Sequence, residues 1–201
     1  MKTASASSTR GARGLRTTLL PSLLVVCACA SAPLRVPQTP RALDAHALEG
    51  TWHVVASTFP MWLDGSRRGP TFNYSGVAER AGRVTMDDRV SYSSARGALE
   101  HLDGVDVQHP QVPTHFTWSG RGFLAAFTSE WDVVSLDAQG RYAIITFSPT
   151  LATPAGLDVI SREATLSDEA WGAAKREVEA TPELAALARG LARLETPATA
   201  R

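Results

Sequence analysis

Cysteine is almost missing from this chain. Two occur in 201 residues, Cys27 and Cys29, both ahead of the first acid, Asp44. Everything beyond them therefore holds no disulfide, no thiol nucleophile and no cysteine-ligated metal, and the folded part must be held by its core alone. Acid is missing from the N-terminus, where Lys2, Arg10, Arg13 and Arg16 stand unopposed. A long apolar run is missing too. Residues 19–30 are almost all apolar or small, but a membrane-spanning helix needs about 20 such residues. No basic patch with interleaved aromatics occurs, which excludes nucleic acid as a partner. No two histidines have the close spacing of a metal motif, and no serine sits in a nucleophile elbow.

What is there begins with a basic stretch, a short apolar run and small residues after it, the pattern of a secretory signal. Within it, Val26-Cys27-Ala28-Cys29 looks like a bacterial lipobox, with a small residue just before Cys29 and an aliphatic one three before it. That resemblance implies a signal peptide over 1–28 of the lipoprotein type, cleavage before Cys29 and lipid attached to its thiol. Ordinary cleavage near Ala30-Ser31-Ala32 is the other reading and would remove both cysteines. The Ser, Arg and Ala content also suits an organelle transit peptide, but the compact apolar run does not. Removing residues 1–28 leaves 16 basic against 20 acidic residues, a net charge of about −4. Residues 29–42 carry Pro33, Pro37 and Pro40 and read as an extended tether. A folded domain is expected over 43–195 and a frayed tail over 196–201.

Within the domain, short β patterns alternate with turn signals such as Asp64-Gly65, Ala81-Gly82, Asp103-Gly104 and Ser119-Gly120. Strands are predicted over 51–59, 71–77, 83–87 running on to 92, 98–105, 114–118, 122–128, 130–136, 141–147 and 158–161. Many short strands at this spacing indicate a sandwich or a barrel. A helix follows, with Ser167 placed to cap it and Asp168 and Glu169 in its first turn. Ala170, Ala173, Ala174 and Val178 form its apolar stripe, Thr181-Pro182 breaks it, and Leu184, Leu187, Leu191 and Leu194 continue at helical spacing.

Several of these positions together resemble the lipocalin family of the calycin superfamily. Gly50-Thr51-Trp52 matches its first motif and Ser161-Arg162 its third. Thr128-Ser129-Glu130-Trp131 stands where the second motif has Thr-Asp-Tyr, departing from it at the acid and the aromatic and adding Ser129. The pattern looks most like the bacterial outer-membrane lipocalins. It implies an all-β, eight- to nine-stranded antiparallel up-and-down barrel with a C-terminal α-helical segment on its outside. It also implies that Arg162 lies over Trp52 at the barrel floor, a contact worth about 0.5–2 kcal/mol.

An eight-stranded barrel can hold one small ligand. Alternation from Trp52 assigns Val54, Ala56 and Thr58 to the interior. Phe72 and Tyr74 share a face on the next strand, and Tyr142 and Ile144 oppose Arg141. With Met61 and Trp62 of the long first loop, these are the candidate ligand contacts. The expectation is binding or transport of a small hydrophobic molecule, such as a fatty acid or phospholipid, in the cavity of an exported barrel. That barrel is expected to be lipid-anchored through Cys29 at the cell envelope, on the outer-membrane or periplasmic side. A barrel filled by its own side chains, serving structure or a protein partner, is the alternative. An isomerase or de-epoxidase acting on a bound polyene is another, though no catalytic residue is indicated. Glu130 and Asp132 share a strand face and are read as solvated or paired with arginine. His53, His101, His109 and His115 are read as surface residues, and no metal or cofactor is expected.

Overall fold

The computed structural model describes residues 42–195. The signal segment, the tether with Cys29 and the tail over 196–201 lie outside the described residues. Among the described residues no helix is long and apolar enough to cross a membrane.

The elements run β1 (Gly50–Ser57), α1 (Pro60–Leu63), β2 (Arg67–Arg80), β3 (Arg83–Ser94), β4 (Leu99–His109), β5 (Val112–Gly120), β6 (Thr128–Leu136), β7 (Tyr142–Phe147) and β8 (Gly156–Ser161). They are followed by α2 (Asp168–Ala180), α3 (Pro182–Leu187) and β9 (Ala192–Arg193). Each strand from β2 to β8 pairs antiparallel with the next, and β1 closes the ring by pairing with both β8 and β2. This is the closed antiparallel barrel with a C-terminal helix that the sequence predicts. Its mouth is formed by the loops after β1, β3, β5 and β7, and its floor by the other end.

The floor explains the glycine of the first motif. Gly50 has φ of +97°, a conformation that L side chains rarely adopt, and a Cβ there would stand 3.1 Å from Arg162 Nη1. Behind it, the Trp52 side chain is fully buried and its indole N–H donates to the Leu48 carbonyl at 2.7 Å. Arg162 lies 3.7 Å from the centre of the Trp52 ring and donates to the carbonyls of Ala47 and Thr51. One guanidinium thus covers the indole and ties the entry segment to the strand that closes the barrel.

Two apolar layers follow from the strand periodicity. Trp52, Val54, Phe72, Tyr74, Met86, Val90, Phe116, Trp131, Val133 and Ile145 fill the inner one. Val55, Ala56, Ile144, Leu157 and Val159 form an outer one beneath Ala174, Val178 and Leu184 of the helices. Every residue of β8 is buried because it has core on one side and helix on the other. Ser167 caps α2, its Oγ accepting from the Ala170 N–H at 3.2 Å.

Several predicted elements differ, most by their bounds. Residues 122–128 are not a strand. Gly122 has φ of +59°, and a short 3₁₀ turn over Gly122–Leu124 leaves Phe123 85% exposed. The leucine stripe does not stay helical: α3 ends at Leu187, and the chain turns at Gly190 to lay β9 on β1. β2 begins four residues earlier than predicted, at Arg67.

Candidate functional site

Two sites emerge, one inside the barrel and one on its wall. Inside, the bulge between Val54 and Ala56 in the β1–β8 pairing decides which side chains point inward. Val54 faces the inner core. Ala56 is turned to the outer layer under the helices, so it does not line the interior as predicted. Thr58 lies just past the end of β1, half-buried, its hydroxyl bonded to the backbone of Leu157. Phe72 and Tyr74 face inward. Tyr142 and Ile144 do not: they belong to the outer layer, while Ala143 and Ile145 take the inner face. The reason is that β7 is covered on both sides, so Ala143-Ile144-Ile145 carries no apolar-polar alternation to read.

At the mouth, α1 turns Trp62 inward. Its ring packs edge-on against Tyr92 at 5.8 Å, and Met61 packs at the margin of the same cluster. Arg67 lies 4.9 Å from the centre of the Tyr92 ring. Lower down, Trp131 is stacked between Phe116 at 4.5 Å and Tyr74 at 5.7 Å, so the walls are largely aromatic.

Set among these rings are three acids that sequence reasoning did not place in the interior. Asp88, Asp106 and Asp158 are all buried. Asp106 Oδ1 accepts from the Trp131 indole N–H at 2.7 Å, and Asp158 Oδ1 accepts from the Ser57 hydroxyl at 2.6 Å. Among the described residues, Asp106 Oδ2 and Asp158 Oδ2 have no partner, while the Trp118 indole N–H faces Asp88 and is placed to donate to its carboxyl. Burial pushes the carboxyls of Asp106 and Asp158 up to about 7. Burial, and then the charge of Asp106, pushes Asp88 well above the carboxylate range. Burial, and then the charges of Asp88, Asp106 and Asp158, raise the Tyr74 phenol, which pairs with Asp88 across β2 and β3. Gly104 opposes Asp88 across β3 and β4, and the Trp118 indole occupies the space its missing side chain leaves. Asp88 could have been read from the alternation Met86, Asp88, Val90, Tyr92. Asp106, between Gly104 and Gln108, had no apolar neighbours in register to betray its face.

On the outer wall the side chains alternate with those inner rings. His115 and Asp132 are paired across β5 and β6, as are Thr117 and Glu130. His115 is buried, with Nε2 2.8 Å from Glu130 Oε2 and Nδ1 3.0 Å from Asp132 Oδ1. The hydrogen bond to Asp132, against some desolvation, holds the His115 imidazole above its ordinary range. The His109 ring stands edge-on at 4.4 Å from that of His115, and His109 Nε2 is 3.9 Å from Glu130 Oε2. Thr117 Oγ1 lies 2.9 Å from His109 Nε2 and donates to Glu130 Oε2 at 3.1 Å. The two acids are thus bridged by a histidine rather than solvated or paired with arginine, and two histidines read as dispersed surface residues are neighbours. His101 stands apart, bonded to Ser91.

No family model matches the chain, and no curated protein matches it in sequence. Solved structures match its fold. Apocrustacyanin C2 superposes with a TM-score of 0.57 at 15% identity, covering 81% of this chain and 83% of its own. A siderocalin, Ex-FABP, which functions through dual ligand specificities, gives 0.55 at 14% identity over 76% of this chain and 97% of its own. The cockroach major allergen Per a 4 gives 0.55 at 14% identity over 80% and 93%. The fold is that of the lipocalins.

Proposed function

We propose that the barrel binds one small, largely apolar molecule carrying a hydrogen-bond donor, an amine or a hydroxyl. We propose also that it does so at the cell envelope, tethered by lipid on Cys29. One observation carries the binding reading: three buried acids stand in a barrel walled by aromatic rings, and Asp106 Oδ2 and Asp158 Oδ2 have no partner among the described residues. An unmade hydrogen bond at a buried oxygen costs about 1–3 kcal/mol. A ligand donor that makes it gains that much. Apolar walls with a few fixed polar groups are what a small-molecule site requires. The fold shared with a siderocalin of dual ligand specificity supports the same reading.

The acids also select among lipids. An acyl chain or ring system suits the aromatic walls, and an amine or hydroxyl can donate to the Asp106 and Asp158 oxygens, whereas a fatty-acid carboxylate cannot donate and is repelled wherever these acids are ionised. Amines, alcohols and amine-bearing head groups fit. Support for the envelope comes from the mouth. Leu63, Leu99, Phe123, Phe127 and Leu151, the exposed large apolar residues among those described, all stand at that end. Exposed apolar groups gathered at one end suit contact with a lipid surface.

Native mass spectrometry of the protein purified from its own host tests the binding. A bound species of small mass bearing an amine or hydroxyl is expected. A barrel that is empty and also refuses such molecules when supplied contradicts the proposal. Cys29→Ala should move the protein from membrane to soluble fractions, and unchanged membrane association contradicts the tether.

A further inference from the structure

We propose that His109, His115 and Glu130 form a binding site for a divalent transition-metal ion, zinc foremost, on the outer wall of the barrel. It lies on the opposite side of β5 and β6 from the ligand-binding interior and stands independently of it. Each residue offers one donor atom, and the three atoms lie within 4.8 Å of one another. Zinc bonds to imidazole nitrogen and carboxylate oxygen of about 2.0–2.2 Å hold neighbouring donors roughly 3–4 Å apart. The observed 2.8 Å and 3.9 Å separations from Glu130 Oε2 need only small side-chain movements to meet that. Two imidazoles and one carboxylate with further positions open is a donor set suited to zinc and its transition-metal neighbours.

The surroundings fit a metal better than a chance cluster. Asp132 Oδ1 stands 3.0 Å from His115 Nδ1, which fixes the ring and directs Nε2 at the common point, the arrangement that supports metal-ligating histidines. Both donors on β5 and β6 are backed by stacked, buried rings: Phe116 beside His115 and Trp131 beside Glu130. Charge argues the same way. Glu130 and Asp132 bring two carboxylates to a half-buried wall beside the two imidazoles. A dication held between them offsets the charge of both carboxylates. The Thr117 hydroxyl, within reach of His109 and Glu130, is placed to hydrogen-bond a water or anion completing the coordination.

The test is calorimetric titration of the full chain with Zn²⁺ alone, with Cys27→Ser and Cys29→Ser in place so that thiols contribute nothing. One equivalent of ion should bind. His109→Ala and Glu130→Gln should each weaken binding at least tenfold, Asp132→Asn by about tenfold or more, and His53→Ala not at all. The same cysteine-substituted chain given Co²⁺ should show the d–d absorption of a nitrogen- and oxygen-ligated ion. In the unsubstituted sites, Zn²⁺ should move the imidazole NMR resonances of two of the five histidines. This last reading does not depend on any variant folding. Absence of saturable binding in the micromolar range, equal binding in His109→Ala and Glu130→Gln, or no histidine resonance moved would each overturn the proposal, leaving an ion-paired cluster.

Discussion

Trp52 and Arg162 act as one unit at the barrel floor. The indole is buried, bonded to Leu48 and covered by the guanidinium. Trp52→Ala should cost about 3–5 kcal/mol, as other buried aromatics do, while Arg162→Ala, losing a partly exposed cation–π contact, should cost nearer 1 kcal/mol. Urea denaturation measures both. Lost ligand binding with unchanged stability in Trp52→Ala would show that the floor is part of the ligand site instead. The interior acids set the pH dependence. Asp106 and Asp158 titrate near 7 in the folded chain and near 3.8 when unfolded, so the folded state holds more protons between those values. Stability therefore falls as pH rises from about 4 through 7. Asp106→Asn keeps a side-chain oxygen to accept from Trp131 and removes the titration. Its melting temperature relative to wild type should rise between pH 5 and pH 8. A constant difference would mean that Asp106 is ionised throughout. Asp88 was legible in the sequence through its apolar neighbours in register. Asp106 and Asp158 were not, because a glycine-flanked strand and a fully buried one both lack alternation.

At the scale of elements, the helices are what make β8 buried on both faces. Leu184 is fully buried against the outer layer, so Leu184→Ala should destabilise the fold by about 2–5 kcal/mol in the same denaturation experiment. If the cost is under about 1 kcal/mol, the helix contributes little to holding β1 and β8 together. The strand–turn–strand from β6 to β7 and the capped start of α2 were legible because turn chemistry and capping are local. The inward face of β7 was not, since Ile144 and Ile145 are equally apolar and only tertiary packing assigns them to helix and core. The bulge at Val54–Ala56 was also hidden. A one-residue shift reverses every later side chain on the strand, and nothing in Val54-Val55-Ala56 marks it. The histidine cluster escaped for a related reason: His109, His115 and Glu130 meet only through the register of three strands.

For the molecule as a whole, the barrel was legible from the ordered motifs at Trp52, Trp131 and Arg162 together with the helix after them. The polarity of its interior was not, because apolar residues dominate the predicted lining and the acids enter from strands whose faces were ambiguous. On the proposed reading, that polarity turns a general hydrophobic site into one selective for a donor-bearing ligand. The claim is tested most directly by titrating the full chain with a matched pair, dodecylamine and dodecanoate, following the quenching of its tryptophan fluorescence. The account predicts at least tenfold tighter binding of the amine, with the preference shrinking in Asp106→Asn. Equal or tighter binding of the carboxylate, or no saturable quenching by either, would contradict it.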